Sequence, residues 1–185
     1  SSKQQTDHCE GHAAQRVPRR NPIMDEIIRL QRATVDEHIR QEDAHQWPAV
    51  YDTFIQTDAA CLDVVPLNIR FGGVSGVKDF YAALEAAFPD FHVSVWAEYD
   101  LPGCSVREIT VEATHKGEWC GLAPTGKRVK VHVAVLYLFG TGPEAGKLLA
   151  ERIYFDNQSL MQQMRGELNP DSVADFSKTL RQAVR

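Results

Sequence analysis

The hydrophobic period of this chain changes to two near Phe91, and that change sets the fold class. Before it, apolar residues recur at helical spacing: Met24, Ile27, Ile28, Val35 and Ile39, then Val77, Phe80, Tyr81, Leu84 and Phe88. After it they alternate. Phe91, Val93, Val95, Ala97 and Tyr99 share one predicted strand face; Val129, Val131, Val133, Val135, Tyr137 and Phe139 share another. A period of 3.6 suits a helix with one buried face, and a period of two suits a half-buried strand. Helices followed by an antiparallel meander make an α+β domain.

Local signals place the elements. Asn21-Pro22 starts the first helix, with Asn as cap and Pro in the first turn. A short helix begins at Trp47-Pro48, and a third opens at Val74-Ser75-Gly76 and stops before Pro89. Residues 59–71 are apolar but aperiodic, which predicts a short strand or an irregular connection. Leu101-Pro102-Gly103 is a turn. Val106 has the opposite parity to Ile109, Val111, Ala113 and His115, which predicts a bulge near Arg107–Glu108. Leu148 to Phe155 is a further strand and Asn157 to Met164 a helix. Residues 1–20 read as a disordered tail, 21–168 as the domain, and 169–185 as a C-terminal extension with a helix from Ser172 to Val184.

Composition narrows the function. A chain of 185 residues suits one domain and buries about 70% of its unfolded surface without a metal or a disulfide. The formal charge is −5 and the basic residues are scattered, so no nucleic-acid groove is indicated. The four cysteines show no C-x-x-C spacing, which signals neither zinc nor redox chemistry and fits a reduced, cytoplasmic setting. His8-Cys9-Glu10-Gly11-His12 contains ligand-type side chains, but an unstructured tail explains them more simply. No apolar run has the length of a membrane span, and the polar N-terminus has no secretory h-region.

Several motifs occur in a fixed order: Gly76-Val77, Ala87-Phe88-Pro89-Asp90-Phe91, Thr114-His115-Lys116-Gly117-Glu118, Pro124-Thr125-Gly126-Lys127, and Asp156 with Gln162-Gln163. Over residues 34 to 165 this order resembles the SnoaL-like polyketide cyclases of the nuclear transport factor 2-like superfamily. The resemblance implies a cone-shaped fold, with helices packed on a curved, mainly antiparallel sheet around one ligand cavity. It also implies a homodimer, a small hydrophobic or aromatic ligand, and no metal or organic cofactor. The chemistry it implies is an intramolecular aldol closure on a polyketide ester. A carboxylate takes an activated C–H proton, and a histidine helps hold the enolate charge. In this sequence the expected catalytic Asp position falls on Ile153 and the His position on Val135. Neither can exchange a proton, so the pair has moved, the chemistry differs, or the domain only binds.

Strand parity suggests where a moved pair would lie. If Ile153 faces the cavity, so does Glu151; if Val135 does, so does Tyr137. His115 ends the apolar face of Ile109, Val111 and Ala113. Glu151 is then either a cavity base or a rim carboxylate paired with Arg or Lys. His115 is either a polar cavity group or a core histidine bonded to backbone. Asp156 matches the family pattern, yet its place before Asn157 also suits a helix N-cap. Tyr51, Phe54 and Trp119 serve as ligand contacts or plain core. An epoxide hydrolase of the same superfamily would need an Asp–Arg–Asp set, which the strand parity does not supply. His38 and Glu42 stand at i, i+4 and read as a solvated helix face. His132 faces solvent or a second subunit.

Overall fold

The computed structural model describes residues 21–176. Helix α1 spans Pro22–Asp43, α2 Trp47–Tyr51, α3 Gly73–Ala87 and α4 Asn157–Arg165. Six strands, β1 Cys61–Val64, β2 Ile69–Gly72, β3 His92–Leu101, β4 Cys104–Thr114, β5 Arg128–Phe139 and β6 Leu148–Phe155, form one curved, unclosed sheet in the order β2-β1-β6-β5-β4-β3. All neighbours are antiparallel except β1 and β6. The predicted α+β class therefore holds. The aperiodic stretch 59–71 resolves into β1, a single 3-10 turn and β2.

The helix ends follow the sequence. The Asn21 side chain accepts from the Ile23 amide and Pro22 opens α1. The buried side of α1 is Gln31, Val35, His38, Ile39 and Glu42, one continuous helical stripe. Its apolar members join Val77, Phe80 and Tyr81 of α3 and Ile109, Val133, Val135 and Tyr137 of the sheet in one core. His38 and Glu42 therefore do not lie on a solvated face. In the Thr-His-x-Gly-Glu motif, Gly117 lies so close to α3 that a β-carbon would come within 2.1 Å of the Ala86 carbonyl oxygen.

The bulge falls on a different strand from the one predicted. β4 pairs with β5 without a break, and the register shift lies in β3 between Val95 and Ala97. Ser105, Arg107 and Ile109 keep one parity and are all buried. Beyond the shift β3 reverses its faces, so Ala97 and Tyr99 leave the side that Val93 holds and Asp100 takes it. Asp100 there meets Arg107 Nη1 at 2.8 Å and the Ser105 hydroxyl, while Asp36 of α1 approaches Arg107 Nη2 at 3.3 Å.

Past α4, Gly166 in the left-handed region closes the helix, and Pro170–Ser172 forms one 3-10 turn. The chain then crosses the outer side of the sheet. His132 contacts the Ala174 carbonyl, and its ring packs against Trp96 and Phe176, which also touch each other. His132 is thus half-buried under the chain's own C-terminal segment. The tail 1–20 and most of the predicted Ser172–Val184 helix lie outside the described residues.

Candidate active site

An apolar void of about 90 Å³ lies between the sheet and the helices. Val129, Val131, Val133 and Val135 of β5 form one wall, with Ile109, Val111 and Ala113 of β4 beside them. Ile153 and Phe155 of β6, Phe80 and Leu84 of α3, Phe88, Phe91, Trp119 and Leu160 supply most of the rest. Two of the lining side chains are acidic, Glu42 and Glu151.

Glu151 projects inward from β6, opposite Tyr137 of β5 in the strand register. It is 2% exposed. Burial pushes its carboxyl up to about 7, against the opposing effect of a hydrogen bond from the Tyr81 hydroxyl at 3.0 Å. Behind it stands His38 of α1, wholly buried, with Nε2 at 3.0 Å from the Tyr81 oxygen and 3.6 Å from Glu151 Oε2. Burial lowers the His38 pKa to about 3, so its ring is neutral at ordinary pH.

Counting hydrogens fixes the tautomer. Thr53 donates its hydroxyl hydrogen to the Val50 carbonyl at 2.6 Å, so the 2.8 Å contact between Thr53 Oγ1 and His38 Nδ1 requires the hydrogen on Nδ1. His38 Nε2 is then a lone pair facing Tyr81. Tyr81 has one hydrogen and two acceptors. Both contacts are hydrogen bonds when Glu151 is protonated, donating to Tyr81 while Tyr81 donates to His38. When Glu151 ionises, the Tyr81 hydrogen turns to it. The network thus accommodates either protonation state of Glu151.

Glu42 reaches the same void from α1. His38 Nε2 is 4.0 Å from its Oε2, and no hydrogen-bond donor among the described residues meets its carboxyl. Burial, then the charges of Glu151 and Asp43, hold its pKa well above 4.5. Tyr137, also wholly buried, has a hydroxyl with no partner among the described residues. Burial, followed by the neighbouring charges of Glu151 and Glu42, raises its pKa.

The remaining sequence candidates are spread out. Val135, Ile153 and Trp119 line the void. Phe54 packs edge-on against the His38 ring and Tyr51 against Tyr81, both outside the lining. His115 is buried beyond the end of β4, with Nδ1 at 3.1 Å from Thr125 Oγ1 and its ring 5.6 Å from Phe88. Its Nε2 has no partner among the described residues. Nothing joins it to the Glu151 cluster. Asp156 is exposed and accepts from the Ser159 amide, capping α4. Sequence reasoning passed over His38, Glu42 and Tyr81 as site residues. The signal that could have found His38 and Glu42 is the helical stripe from Gln31 through Val35, His38 and Ile39 to Glu42.

The model of the family described as SnoaL-like polyketide cyclase matches residues 30–164. The chain belongs to the SnoaL-like polyketide cyclase family. A SnoaL-like protein from Jannaschia sp. CCS1, assigned as a polyketide cyclase, superposes with a TM-score of 0.67 at 20% identity, covering 82% of this chain and 98% of its own. AclR from Streptomyces galilaeus, assigned as a hydroxylase, gives 0.62 at 20% identity, covering 77% and 99%. An LEH-like epoxide hydrolase from M. tuberculosis gives 0.57 at 15% identity, covering 79% and 94%. These likenesses are of fold, the SnoaL/nuclear transport factor 2-like fold. A search of curated proteins returned no match. Among the described residues no helix is long and apolar enough to cross a membrane.

Proposed function

We propose that this SnoaL-like protein is an acid–base catalyst of the polyketide cyclase type that needs no cofactor and closes an intramolecular aldol bond in a hydrophobic carbonyl compound. One observation carries the reading: a carboxyl on an apolar cavity wall whose pKa burial brings to about 7. A base poised there is ionised often enough to accept a C–H proton and basic enough to take it. Glu151 is that base. It stands one inward pleat from Ile153, the position where the family resemblance places its acid–base residue. The Tyr137 hydroxyl, without a partner among the described residues and opposite Glu151 in the strand register, is the donor we assign to a developing enolate oxygen. A void of about 90 Å³ suits the reacting carbonyl end of a molecule rather than a fused ring system.

The test uses methyl acetoacetate, a small β-keto ester, in D₂O. Exchange of its activated C–H, followed by NMR, should be faster with the protein than without it. Glu151→Gln should lower that acceleration about a hundredfold or more with the fold intact. Unchanged exchange in the variant removes Glu151 from the mechanism.

The apolar pair Val135 and Ile153 favours a second reading, a domain that binds apolar carbonyl compounds without turning them over. It predicts that such ligands raise the melting temperature in step with their affinity while exchange stays at the background rate.

A further inference from the structure

We propose that Glu42 is a second catalytic residue, a neutral carboxylic acid aimed into the cavity that protonates the acceptor carbonyl while Glu151 takes the C–H proton. This rests on the reading of Glu151 as the base and adds its missing partner.

The argument starts from placement. Glu42 and Glu151 come from different elements, α1 and β6, and both line the void. Their Oε2 atoms lie 4.0 Å and 3.6 Å from the same nitrogen, His38 Nε2. The groups facing them are Asp43 and His38 on α1, Tyr81 on α3 and Tyr137 on β5. None of these is a cation, since His38 is neutral. Arg107 reaches Tyr137 only as the last and opposing influence on its pKa. Two carboxylates this close in an apolar void cannot both stay charged, so one keeps a proton.

Their surroundings decide which one. Glu151 receives the Tyr81 hydrogen bond, which stabilises its anion. Glu42 receives none, so its anion has only desolvation and two negative neighbours. Paired titratable groups whose environments push their pKa values apart divide into an acid and a base. The O–H of Glu42 has no acceptor within the protein among the described residues, which leaves it for a carbonyl oxygen in the void.

The proton count closes. Ionised Glu151 removes a proton from the carbon between two carbonyls, and the C–H electron pair forms the new C–C bond to the acceptor carbonyl carbon. The acceptor C=O π pair moves to oxygen, which takes the Glu42 proton and becomes a hydroxyl. Glu151 now carries one proton and Glu42 none. Transfer of that proton back, directly or through solvent, restores the pair without an oxidant, a reductant or a cofactor.

Infrared spectra of the ligand-free protein at pH 8 separate the two carboxyls. Wild type should show the C=O stretch of a protonated carboxylic acid, and Glu42→Gln should lose it. With methyl 3,7-dioxooctanoate, a β-keto ester that also carries an acceptor ketone, Glu42→Leu should slow ring closure by about a hundredfold, and Glu42→Gln, which still offers an N–H to the oxyanion, by less, while methyl acetoacetate exchange, which involves no acceptor carbonyl, persists in both. Melting curves of both variants establish that they are folded, and the infrared comparison needs only one of the two. A wild type without the band, a band that survives both replacements, or ring closure at the wild-type rate in Glu42→Leu would overturn the proposal. Failure of the base reading looks different: exchange is indifferent to Glu151→Gln, whatever the band does.

Discussion

Glu151 and Tyr137 face each other as a register pair across β6 and β5, and the next inward pair along the same strands is Ile153 and Val135. Polar side chains thus stand one pleat from the two positions where the family resemblance places the catalytic pair. The shift sets Glu151 among buried side chains that reach it from elsewhere, Tyr81 on α3 and His38 on α1. The consequences concern protonation first.

Stability should fall as pH rises from about 4.5 to about 7. In the unfolded chain Glu151 ionises near its ordinary 4.5, whereas the folded protein holds the proton to about 7. Between those values the unfolded state has released a proton that the folded state keeps, so its contribution is whole at low pH and lost through this window. A shift of that size corresponds to about 3 kcal/mol, and Glu42, raised in the same sense, adds to it. Urea unfolding at a series of pH values should show that Glu151→Gln gains on wild type by this order between pH 5 and 8. Parallel profiles for the two proteins would contradict the burial of an ionisable Glu151.

His38 should stay neutral down to about pH 4, because burial lowers its pKa to about 3. NMR of its ring nitrogens should show one tautomer, hydrogen on Nδ1, unchanged from pH 8 to pH 5. Replacement by Phe leaves the Thr53 and Tyr81 hydroxyls short of a partner and should cost about 1–3 kcal/mol. The pH profile of methyl acetoacetate exchange should move as well, since Tyr81 then has only Glu151 to bond. A ring that titrates near its ordinary 6.5 would contradict the neutral lone pair facing Tyr81.

Arg107 should be a stability residue. Its side chain is wholly buried and bonds the Asp100 carboxylate, itself 6% exposed. Arg107→Met leaves Asp100 with the Ser105 hydroxyl and the half-exposed Arg32. Losing one partner of a buried pair costs about 3–5 kcal/mol, and the remaining Arg32 keeps the expected loss near about 3. Replacing Asp100 by Asn in the same chain should recover part of it, read as urea midpoints of the single and double variants. Equal midpoints for wild type and Arg107→Met would overturn the role.

The fold was legible because burial imposes period on sequence. The alternating Val face of β5 and the Val77-to-Leu84 stripe of α3 leave little choice of element or face. The bulge was legible only as a break in parity. Val106 against Ile109 says that one strand slips, but the slipped strand is β3, because Arg107 and Ser105 are buried despite their polarity and so keep β4 regular. The site was hidden for a related reason. On α1 the inward positions 38 and 42 carry His and Glu, flanked by Asp36, Glu37, Arg40 and Gln41, so composition suggests solvent where geometry gives cavity. Glu151 was reachable because one known inward position on a strand fixes every second neighbour. Tyr81 has no such signal: as an apolar-stripe residue it packs like core, and only the fold brings its hydroxyl to Glu151.

Asp156 provides the sharpest separation of capping from catalysis. It follows β6, five residues from Glu151, and is one of the motif residues on which the sequence resemblance rests. Its side chain, however, turns to the helix it precedes, accepting from the Ser159 amide at 3.1 Å and from the Ser159 hydroxyl at 2.7 Å. Those bonds hold its carboxyl below the usual range, the Ser159 side chain contributing most, so the carboxylate is the form that caps. Asp156→Ala should therefore cost about 1 kcal/mol, the ordinary price of a lost N-cap, seen as a lower urea midpoint at pH 7. The deficit should shrink as pH falls below the ordinary value of 3.8, where the native carboxyl itself gains a proton. Exchange of methyl acetoacetate should be unaffected at temperatures where the variant is folded. A hundredfold loss of exchange in a folded Asp156→Ala protein would return Asp156 to the chemistry and take from Glu151 its claim to be the base.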